Sequence, residues 1–293
     1  MKIAVIEPIG IPSKEIQSAL SNYTVTEYDS RNWSDEQLIE HVKDANIIAL
    51  TNRHLSAEVI QAATELKFIA VAFAGIDHID MDAVKQRQIP VKNAAGYANT
   101  AVAELVFGLM ISLARNIPGN NQNIRQKAVT NTGIELKNKT LGIVGFGAIG
   151  AEVKRIASAF QMETLIYDRS TQLTLDDLFA QADFVTLHVP LTNETRGMVN
   201  LKLLSRMKKS AYLINCARGP IVKSDDLKHA LEQHVIAGAA LDVFDIEPPL
   251  PINYDLFEAP NLIATPHIGF NTMEALRTKG ELTIKNIKEF LNT

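Results

Sequence analysis

The chain has 293 residues, of which 46% are hydrophobic and 21% are charged, and its formal net charge is −4. That length is enough for two globular domains, and the slight acidity gives no electrostatic case for binding nucleic acid or an anionic membrane. The single cysteine, Cys216, excludes an intramolecular disulfide and favours a cytoplasmic location. The first apolar run, within residues 1–7, is too short for the core of a signal peptide, and no run approaches the roughly 20 apolar residues of a membrane span.

The first third of the chain alternates short apolar runs with stretches of helical pattern. The spacing of Ser34 and Gln37 predicts a capping box that opens a helix running to Val42. Such alternation predicts a parallel sheet with helices on its faces, and ligands of such sheets bind beyond the carboxyl ends of the strands. Loops 51–54 and 73–80 occupy such positions. The predicted strands are residues 3–6, 23–25, 47–50, 68–71 and 89–91.

A long apolar helix is predicted over residues 100–115. Its broad stripe of Val, Leu and Met side chains belongs either to a core or to a subunit contact. Glu104 interrupts this stripe, and we interpret it as a residue facing solvent or a partner rather than as a catalytic group. Residues 116–139 are polar and poorly patterned, which predicts a loop and a helix of uncertain extent.

The most informative stretch is a strand, a glycine-rich turn and a helix. The apolar run 141–144 leads into Gly145-Phe146-Gly147-Ala148-Ile149-Gly150, and a helical pattern follows. In this arrangement the first glycine bends the chain, the second admits a pyrophosphate, and the third packs the helix on the strand. The helix N-terminus then presents free N–H groups to the phosphates. A glycine turn alone does not establish a binding site, since such turns also occur without a ligand. The strand, the helix and the acidic residue described next together predict a dinucleotide site.

The second strand of this unit, residues 164–167, ends at Asp168. A carboxylate at this place accepts hydrogen bonds from the ribose 2′-OH and repels a 2′-phosphate, so Asp168 favours NAD over NADP without excluding NADP. Arg169 beside it either turns toward a phosphate or is an ordinary solvated arginine, and we favour the second interpretation.

Four more strands are predicted after the glycine turn, and each ends in polar or small residues. They are residues 184–187, 211–214, 236–241 and 262–264, and a last helix, whose start at Asn271 and Glu274 resembles a helix cap, closes the chain. Arg218, Glu247 and His267 stand just beyond the last three of these strands. Singly, they are consistent with a surface arginine, a turn residue and a hydrogen-bonded core histidine.

Together, the three side chains fit the reduction of a 2-oxo acid beside a nicotinamide. A histidine titrates near neutral pH and can pass a proton to the carbonyl oxygen. A neighbouring carboxylate favours the imidazolium, and a guanidinium holds a substrate carboxylate through paired hydrogen bonds.

The sequence resembles the D-isomer-specific 2-hydroxyacid dehydrogenase family over nearly its whole length. The motifs that carry the resemblance are 145–150 with Asp168, 187–191, 215–219, 240–244 with Glu247 and Pro248, and 265–269, with 75–80 and 101–104 extending it into the first half. The resemblance implies an α/β fold of two domains, with a Rossmann NAD(P)-binding domain inserted into a flavodoxin-like substrate domain. The implied boundaries are 1–95 plus 272–293 for the substrate domain and 96–271 for the NAD-binding domain. It also implies a homodimer, formed through the helix after Thr100.

The resemblance further implies a role for each matching residue. Arg218 is the substrate clamp, Glu247 is the partner of the catalytic histidine, and His267 is the general acid–base. The substrate-binding positions that it implies are Ala74 and Gly75, and the residues themselves add Arg53 and Phe73 as further substrate-binding candidates. The cofactor-binding positions are Gly145, Phe146, Gly147, Ala148, Ile149, Gly150, Asp168, Arg169, His188, Val189, Pro190, Thr100, Cys216, Ala217, Asp242 and Gly269. No spacing of ligand residues indicates a metal site.

Two residues are singled out for substrate choice. Arg53 either reaches an acidic group of the substrate or faces solvent, and Phe73 makes the pocket partly apolar. No basic cluster lies within 73–80, which favours a small unphosphorylated 2-oxo acid.

The sequence therefore predicts an NAD-dependent D-2-hydroxyacid dehydrogenase. The alternative from another class is an NAD(H)-sensing, corepressor-like binding protein on the same fold, although the chain has no long basic extensions for recruiting partners. A formate-type enzyme is disfavoured, because such enzymes carry glutamine at the position of Glu247.

Overall fold

A computed structural model describes residues 1–126, 129, 132–246, 250, 251 and 253–292. The chain divides into two compact units, Met1–Ala98 with Asn271–Thr293 and Asn99–Phe270. The second unit is thus continuous in sequence and interrupts the first, and the boundaries lie one to three residues from those expected. The α/β class is confirmed, because both units are parallel sheets with helices on their faces.

Unit 1 is built on a five-stranded parallel sheet of order β2-β1-β3-β4-β5. In chain order its elements are β1 Lys2–Val5, α1 Ser13–Ala19, β2 Thr24–Glu27, α2 Asp35–Val42, β3 Ile47–Leu50, α3 Ala57–Ala62, β4 Phe68–Val71, α4 Met81–Gln86, β5 Val91–Asn93 and, after unit 2, α11 Met273–Leu291. The capping box at α2 is confirmed, since the Gln37 amide N–H donates to the Ser34 hydroxyl while the Ser34 N–H donates to the Gln37 side chain.

Successive side chains of the central strands of unit 1 enter opposite cores. Ile48, Leu50, Ile69 and Val71 pack with α2, α3 and α4 on one face. Residues between them, such as Ile47 and Phe68, pack on the other face with α1 and with Ile284 and Ile287 of α11. Both faces of β3 and β4 are therefore buried, which explains their uninterrupted apolar sequences.

Unit 2 is built on a six-stranded parallel sheet of order β11-β10-β9-β8-β6-β7. In chain order its elements are α5 Asn99–Ala114, α6 Ile117–Arg125, β6 Thr140–Val144, α7 Ala148–Ala159, β7 Glu163–Tyr167, α8 Leu175–Gln181, β8 Phe184–Leu187, α9 Leu201–Leu204, β9 Tyr212–Asn215, α10 Ser224–Glu232, β10 Gly238–Leu241 and β11 Leu262–Ala264. Helices α5 and α7 cover one face, and α8, α9 and α10 cover the other.

The apolar stripe of α5 belongs to the core of unit 2. Val106, Leu109 and Met110 are buried against β6 and α7, whereas Glu104 is exposed, as expected. Of the described residues, no single helix has the length and apolar composition of a membrane span; α5 and α6 together meet those criteria but are bent by 52°.

Candidate functional site

The three glycines of the 145–150 turn have distinct surroundings. Gly145 has a φ of +98°, and a Cβ there would lie 2.6 Å from the carbonyl oxygen of His188. A Cβ on Gly150 would lie 2.3 Å from the carbonyl oxygen of Gly145, so only glycine lets α7 pack on this turn. A Cβ on Gly147 would meet nothing within 4 Å. The open side at Gly147 is the space into which a pyrophosphate would fit.

Helix α7 begins at this open side with its first N–H groups available. Gly147 is its N-cap, and among the described residues no side chain caps the helix. Free N–H groups and the positive end of the helix dipole attract phosphate oxygens. Ala148 and Ile149 form the first turn of α7, and the Phe146 ring is partly exposed with Lys154 Nζ 5.5 Å from its centre.

Asp168 follows β7, one strand away from the glycine turn. Its Oδ1 accepts hydrogen bonds from the Ser170 N–H at 2.8 Å, the Ser170 hydroxyl at 2.7 Å and the Thr171 N–H at 3.0 Å. These hydrogen bonds, led by the Ser170 hydroxyl, lower the pKa of Asp168 and keep it ionised. Arg169 is exposed and its charge lowers the pKa of Glu194, a secondary effect beside the hydrogen bond from Thr192.

The strand on the other side of β6 brings His188, Val189 and Pro190 to the glycine turn. His188 Nε2 lies 3.0 Å from the Thr186 hydroxyl, and burial lowers the pKa of His188 to about 4. Its imidazole is therefore neutral at neutral pH. The close approach of the His188 carbonyl to Gly145 marks the point where the connections from β6 and β8 diverge, which is where doubly wound sheets bind nucleotides.

Arg218 lies in a tight turn that follows β9. The buried Asn215 shapes this turn, since its Nδ2 donates to the Arg218 carbonyl at 2.9 Å and its Oδ1 accepts from the Ala217 N–H at 3.0 Å. A Cβ on Gly219 would overlap the Phe244 carbonyl oxygen, so glycine packs the turn directly against the loop after β10. Burial raises the pKa of the Cys216 thiol, and the charge of Asp242 raises it further.

His267 lies in the loop after β11, and Asp242 holds that loop. Asp242 is 1% exposed; its Oδ1 accepts from the Thr265 hydroxyl at 2.6 Å and the Ile268 N–H at 2.8 Å, and its Oδ2 accepts from the Gly269 N–H at 2.8 Å. The His267 N–H donates to the Asp242 carbonyl at 2.8 Å, and His267 itself has a φ of +53°. This network fixes the backbone of the histidine in a conformation that few non-glycine residues adopt.

The anchoring role of Asp242 is absent from the sequence-based predictions, in which Asp242 lies near the nicotinamide by resemblance alone. Both of its carboxylate oxygens are engaged with the His267 loop. A buried acidic residue at the end of an apolar strand was the available signal, because such a carboxylate requires several hydrogen-bond donors.

The structure brings Arg218, Asp242 and His267 to the carboxyl ends of three adjacent strands, β9, β10 and β11. Glu247, the expected partner of the histidine, lies outside the described residues. Thr100 lies in the first turn of α5, where it is exposed.

The expected substrate-binding residues lie in unit 1, after β3 and β4. The Asn93 side chain donates to the Ala74 carbonyl at 2.5 Å, next to Gly75, and the Phe73 ring lies 6.2 Å from that of Tyr97. Arg53 does not face solvent: its side chain is 14% exposed, and Nη2 bonds to Asp35 Oδ1 and to the Trp33 carbonyl, each at 2.9 Å. The solvent-facing interpretation of Arg53 is therefore wrong, and its contact with substrate stays a prediction.

Comparisons with known proteins identify the same family across both units. Residues 107–269 match the model of the D-isomer specific 2-hydroxyacid dehydrogenase, NAD binding domain. A glyoxylate reductase of Thermofilum pendens is 38% identical over 90% of this chain and 84% of its own length. A hydroxypyruvate reductase of Thermotoga maritima is 36% identical over 94% of this chain and 95% of its own. The crystal structure of a D-lactate dehydrogenase from Aquifex aeolicus, complexed with NAD and lactic acid, superimposes with a TM-score of 0.86 at 28% identity, covering 100% of this chain and 96% of that one.

Proposed function

Because the chain belongs to the D-isomer-specific 2-hydroxyacid dehydrogenases, which are NAD-binding oxidoreductases, we propose that it interconverts a small unphosphorylated 2-oxo acid and its D-2-hydroxy acid. The observation that carries this proposal is the placement of Arg218 and His267 beyond the carboxyl ends of β9 and β11, which flank β10, on the edge of the sheet that bears the nucleotide turn. The names of the two reductases make glyoxylate and hydroxypyruvate the first substrates to try.

The proposed chemistry assigns one role to each residue. NADH, when bound, supplies the hydride that adds to C2 of the substrate. Arg218 holds the substrate carboxylate and polarises the carbonyl, because a guanidinium binds a carboxylate through two parallel hydrogen bonds. His267 gives the carbonyl oxygen its proton and takes it back in the reverse direction, and Glu247 is its proposed charge partner.

Unit 1 supplies the remaining proposed contacts. Segments 51–54 and 73–75 follow β3 and β4, at the edge where parallel sheets bind ligands. In this assignment the N–H groups of Ala74 and Gly75 receive the substrate carboxylate, Phe73 makes the substrate's surroundings partly apolar, and Arg53 is a further proposed substrate contact.

A panel assay tests the proposed function. Glyoxylate, hydroxypyruvate, pyruvate, phenylpyruvate, 2-oxoisocaproate and 2-oxoglutarate are each mixed with NADH or NADPH, and cofactor absorbance is followed. We expect turnover of at least one small acid, preferentially with NADH, and a D-configured product wherever C2 becomes a stereocentre. Tight binding of NADH with no turnover of any acid would instead favour the NAD(H)-sensing alternative.

We also propose that the protein is a homodimer. Exposed apolar side chains recur along the segment that follows α5: Ile117 is 48% exposed, Ile124 75% and Val129 87%. A second copy of the chain would cover such a surface. Sedimentation equilibrium is expected to give about twice the 32.2 kDa chain mass, and Ile124→Asp is expected to lower it toward the monomer value.

A further inference from the structure

Glu7 occupies the place in unit 1 where a sheet of this kind ordinarily binds a ligand. It follows β1, and connections diverge to opposite sides of the sheet between β1 and β3. In sheets of this strand order, ligands bind at that divergence, beyond the carboxyl ends of the strands. The Glu7 side chain is 2% exposed, so the chain itself fills this position.

Three consecutive backbone N–H groups converge on one oxygen of Glu7. Its Oε2 accepts from the N–H of Thr51 at 2.7 Å, of Asn52 at 2.9 Å and of Arg53 at 2.8 Å. Successive N–H groups directed at one point form an anion-binding concavity. Here the anion is a side chain of the protein itself, and the conformation of segment 51–53 depends on the Glu7 carboxylate.

A buried lysine offsets the charge of Glu7. Lys279 of α11 is 3% exposed. It lies beside Gly10, where a Cβ would approach Lys279 Cε to 3.0 Å. Burial lowers the pKa of Lys279, and the negative charge of Glu7 opposes that change. The charge of Glu7 therefore favours the charged form of the Lys279 ammonium.

A second carboxylate holds the same segment from the other side. Asp35 Oδ1 accepts from Arg53 Nη2 at 2.9 Å, and Asp35 Oδ2 accepts from the Ser56 hydroxyl at 2.5 Å. Glu7 thus fixes the backbone of segment 51–53, and Asp35 of α2 fixes the side chain of its last residue, Arg53. A loop whose backbone and side chain are both fixed is suited to present a fixed surface to a small substrate.

We propose that Glu7 is a positioning residue of the substrate site, a built-in anion that holds segment 51–53 in its substrate-binding conformation while Lys279 offsets its charge. The inference rests on the proposed function only in placing this segment beside the substrate. Glu7 itself touches no substrate in this arrangement.

The test is chemical rescue of Glu7→Ala by acetate, which has the atoms that the substitution removes. Without acetate, we expect the amides of residues 51–53 to exchange hydrogen at least about tenfold faster and kcat/KM for the best 2-oxo acid to fall about 10- to 100-fold, mainly through KM. Added acetate is expected to restore both, whereas sodium chloride at equal ionic strength restores neither. Wild type with acetate controls for competition with substrate, and the exposed Glu58→Ala is the matched control for losing a glutamate.

Two further variants keep the test decisive. Glu7→Gln retains an acceptor of the same shape, so it is expected to fold even where Glu7→Ala does not and to show an intermediate exchange rate and KM. Lys279→Met alone is expected to lower the melting temperature by leaving Glu7 buried without its counter-charge, and Glu7→Gln with Lys279→Met is expected to recover part of that loss.

The outcomes separate this proposal from the proposed function. Unchanged exchange of amides 51–53 in both Glu7 variants, or a kcat/KM that acetate leaves unrestored in an active enzyme, overturns the positioning role. A wild-type protein that turns over no 2-oxo acid overturns the proposed function, while acetate-dependent protection of the 51–53 amides still tests the built-in anion.

Discussion

The left-handed backbone of His267 dictates how its proposed acid–base role should be tested. Asparagine adopts this backbone region more readily than alanine does, so His267→Asn removes the imidazole with little added strain. We expect kcat on the best 2-oxo acid to fall about 10²- to 10⁴-fold, the usual effect of a positioned acid–base group. The melting temperature should hardly change. The exposed His234 has a φ of +51°, so His234→Asn is a matched control. Near-normal kcat in His267→Asn would remove the histidine from the mechanism.

His188 predicts a measurable dependence of stability on pH. Its pKa is lowered by burial from 6.5 to about 4, so between these values the unfolded chain binds a proton that the folded chain does not. The contribution of His188 to stability is complete above pH 6.5 and is lost as the pH falls toward 4. At 1.36 kcal/mol per pH unit, the full loss is about 3 kcal/mol.

The variant His188→Gln isolates this effect from general acid denaturation. Its amide can still bond to Thr186 and does not titrate. Denaturant unfolding at pH 7 and pH 4.5 is expected to show that the wild type loses more unfolding free energy than the variant on acidification. Equal losses in the two proteins would show that His188 is protonated in the native state.

At the scale of elements, substitutions in the glycine turn before α7 distinguish an effect on stability from an effect on cofactor binding. A methyl group at Gly147 enters open space, so Gly147→Ala is expected to keep the melting temperature while weakening NADH binding at least about tenfold. A methyl group at Gly150 meets the Gly145 carbonyl, so Gly150→Ala is expected to lower the melting temperature as well. Fluorescence titration with NADH and thermal unfolding measure the two quantities. Full NADH affinity in Gly147→Ala would place the pyrophosphate elsewhere.

The bounds of strands buried on both faces could be predicted from the sequence. For strands with exposed side chains, the predicted bounds differ from the observed ones by one or two residues. Residues 47–50 and 68–71 match β3 and β4 because their apolar runs are uninterrupted. The edge strand β2 is Thr24–Glu27 rather than 23–25, since its half-exposed side chains carry little apolar signal. The apolar run 89–91 predicts a strand there, but β5 is Val91–Asn93, and Ile89 is buried without belonging to the strand.

Predictions from local polar residues were correct for one helix cap and wrong for another. Ser34 caps α2 as predicted, but α11 is capped by Thr272, whose hydroxyl accepts from the Ala275 N–H, and not by Asn271. The anchoring of residues 51–53 by Glu7 and of the His267 loop by Asp242 depends on strand neighbours distant in sequence. Such contacts follow from the order of strands in each sheet, which no local spacing specifies.

For the whole molecule, unit 2 is continuous in sequence and interrupts unit 1. We therefore expect unit 2 to fold when expressed alone and the first part of unit 1 not to do so. Residues 99–270 contain a complete sheet with core clusters on both faces. Expressed alone, this segment is expected to melt cooperatively and to bind NADH with a Kd within about tenfold of that of the full chain. Residues 1–98 alone lack α11 and are expected to lose cooperative melting. Circular dichroism and NADH titration provide the measurements, and an unfolded 99–270 segment would contradict the assignment of an autonomous unit.

The position of α11 has a consequence for biosynthesis. One face of the unit 1 sheet is covered partly by Ile284 and Ile287, which are translated only after all of unit 2. At roughly 5–20 residues per second, the ribosome takes on the order of 10 to 30 seconds to make the intervening segment. During that interval the nascent first unit exposes part of an apolar sheet face. The first unit is therefore the part of the chain that a ribosome-associated chaperone would be expected to shield.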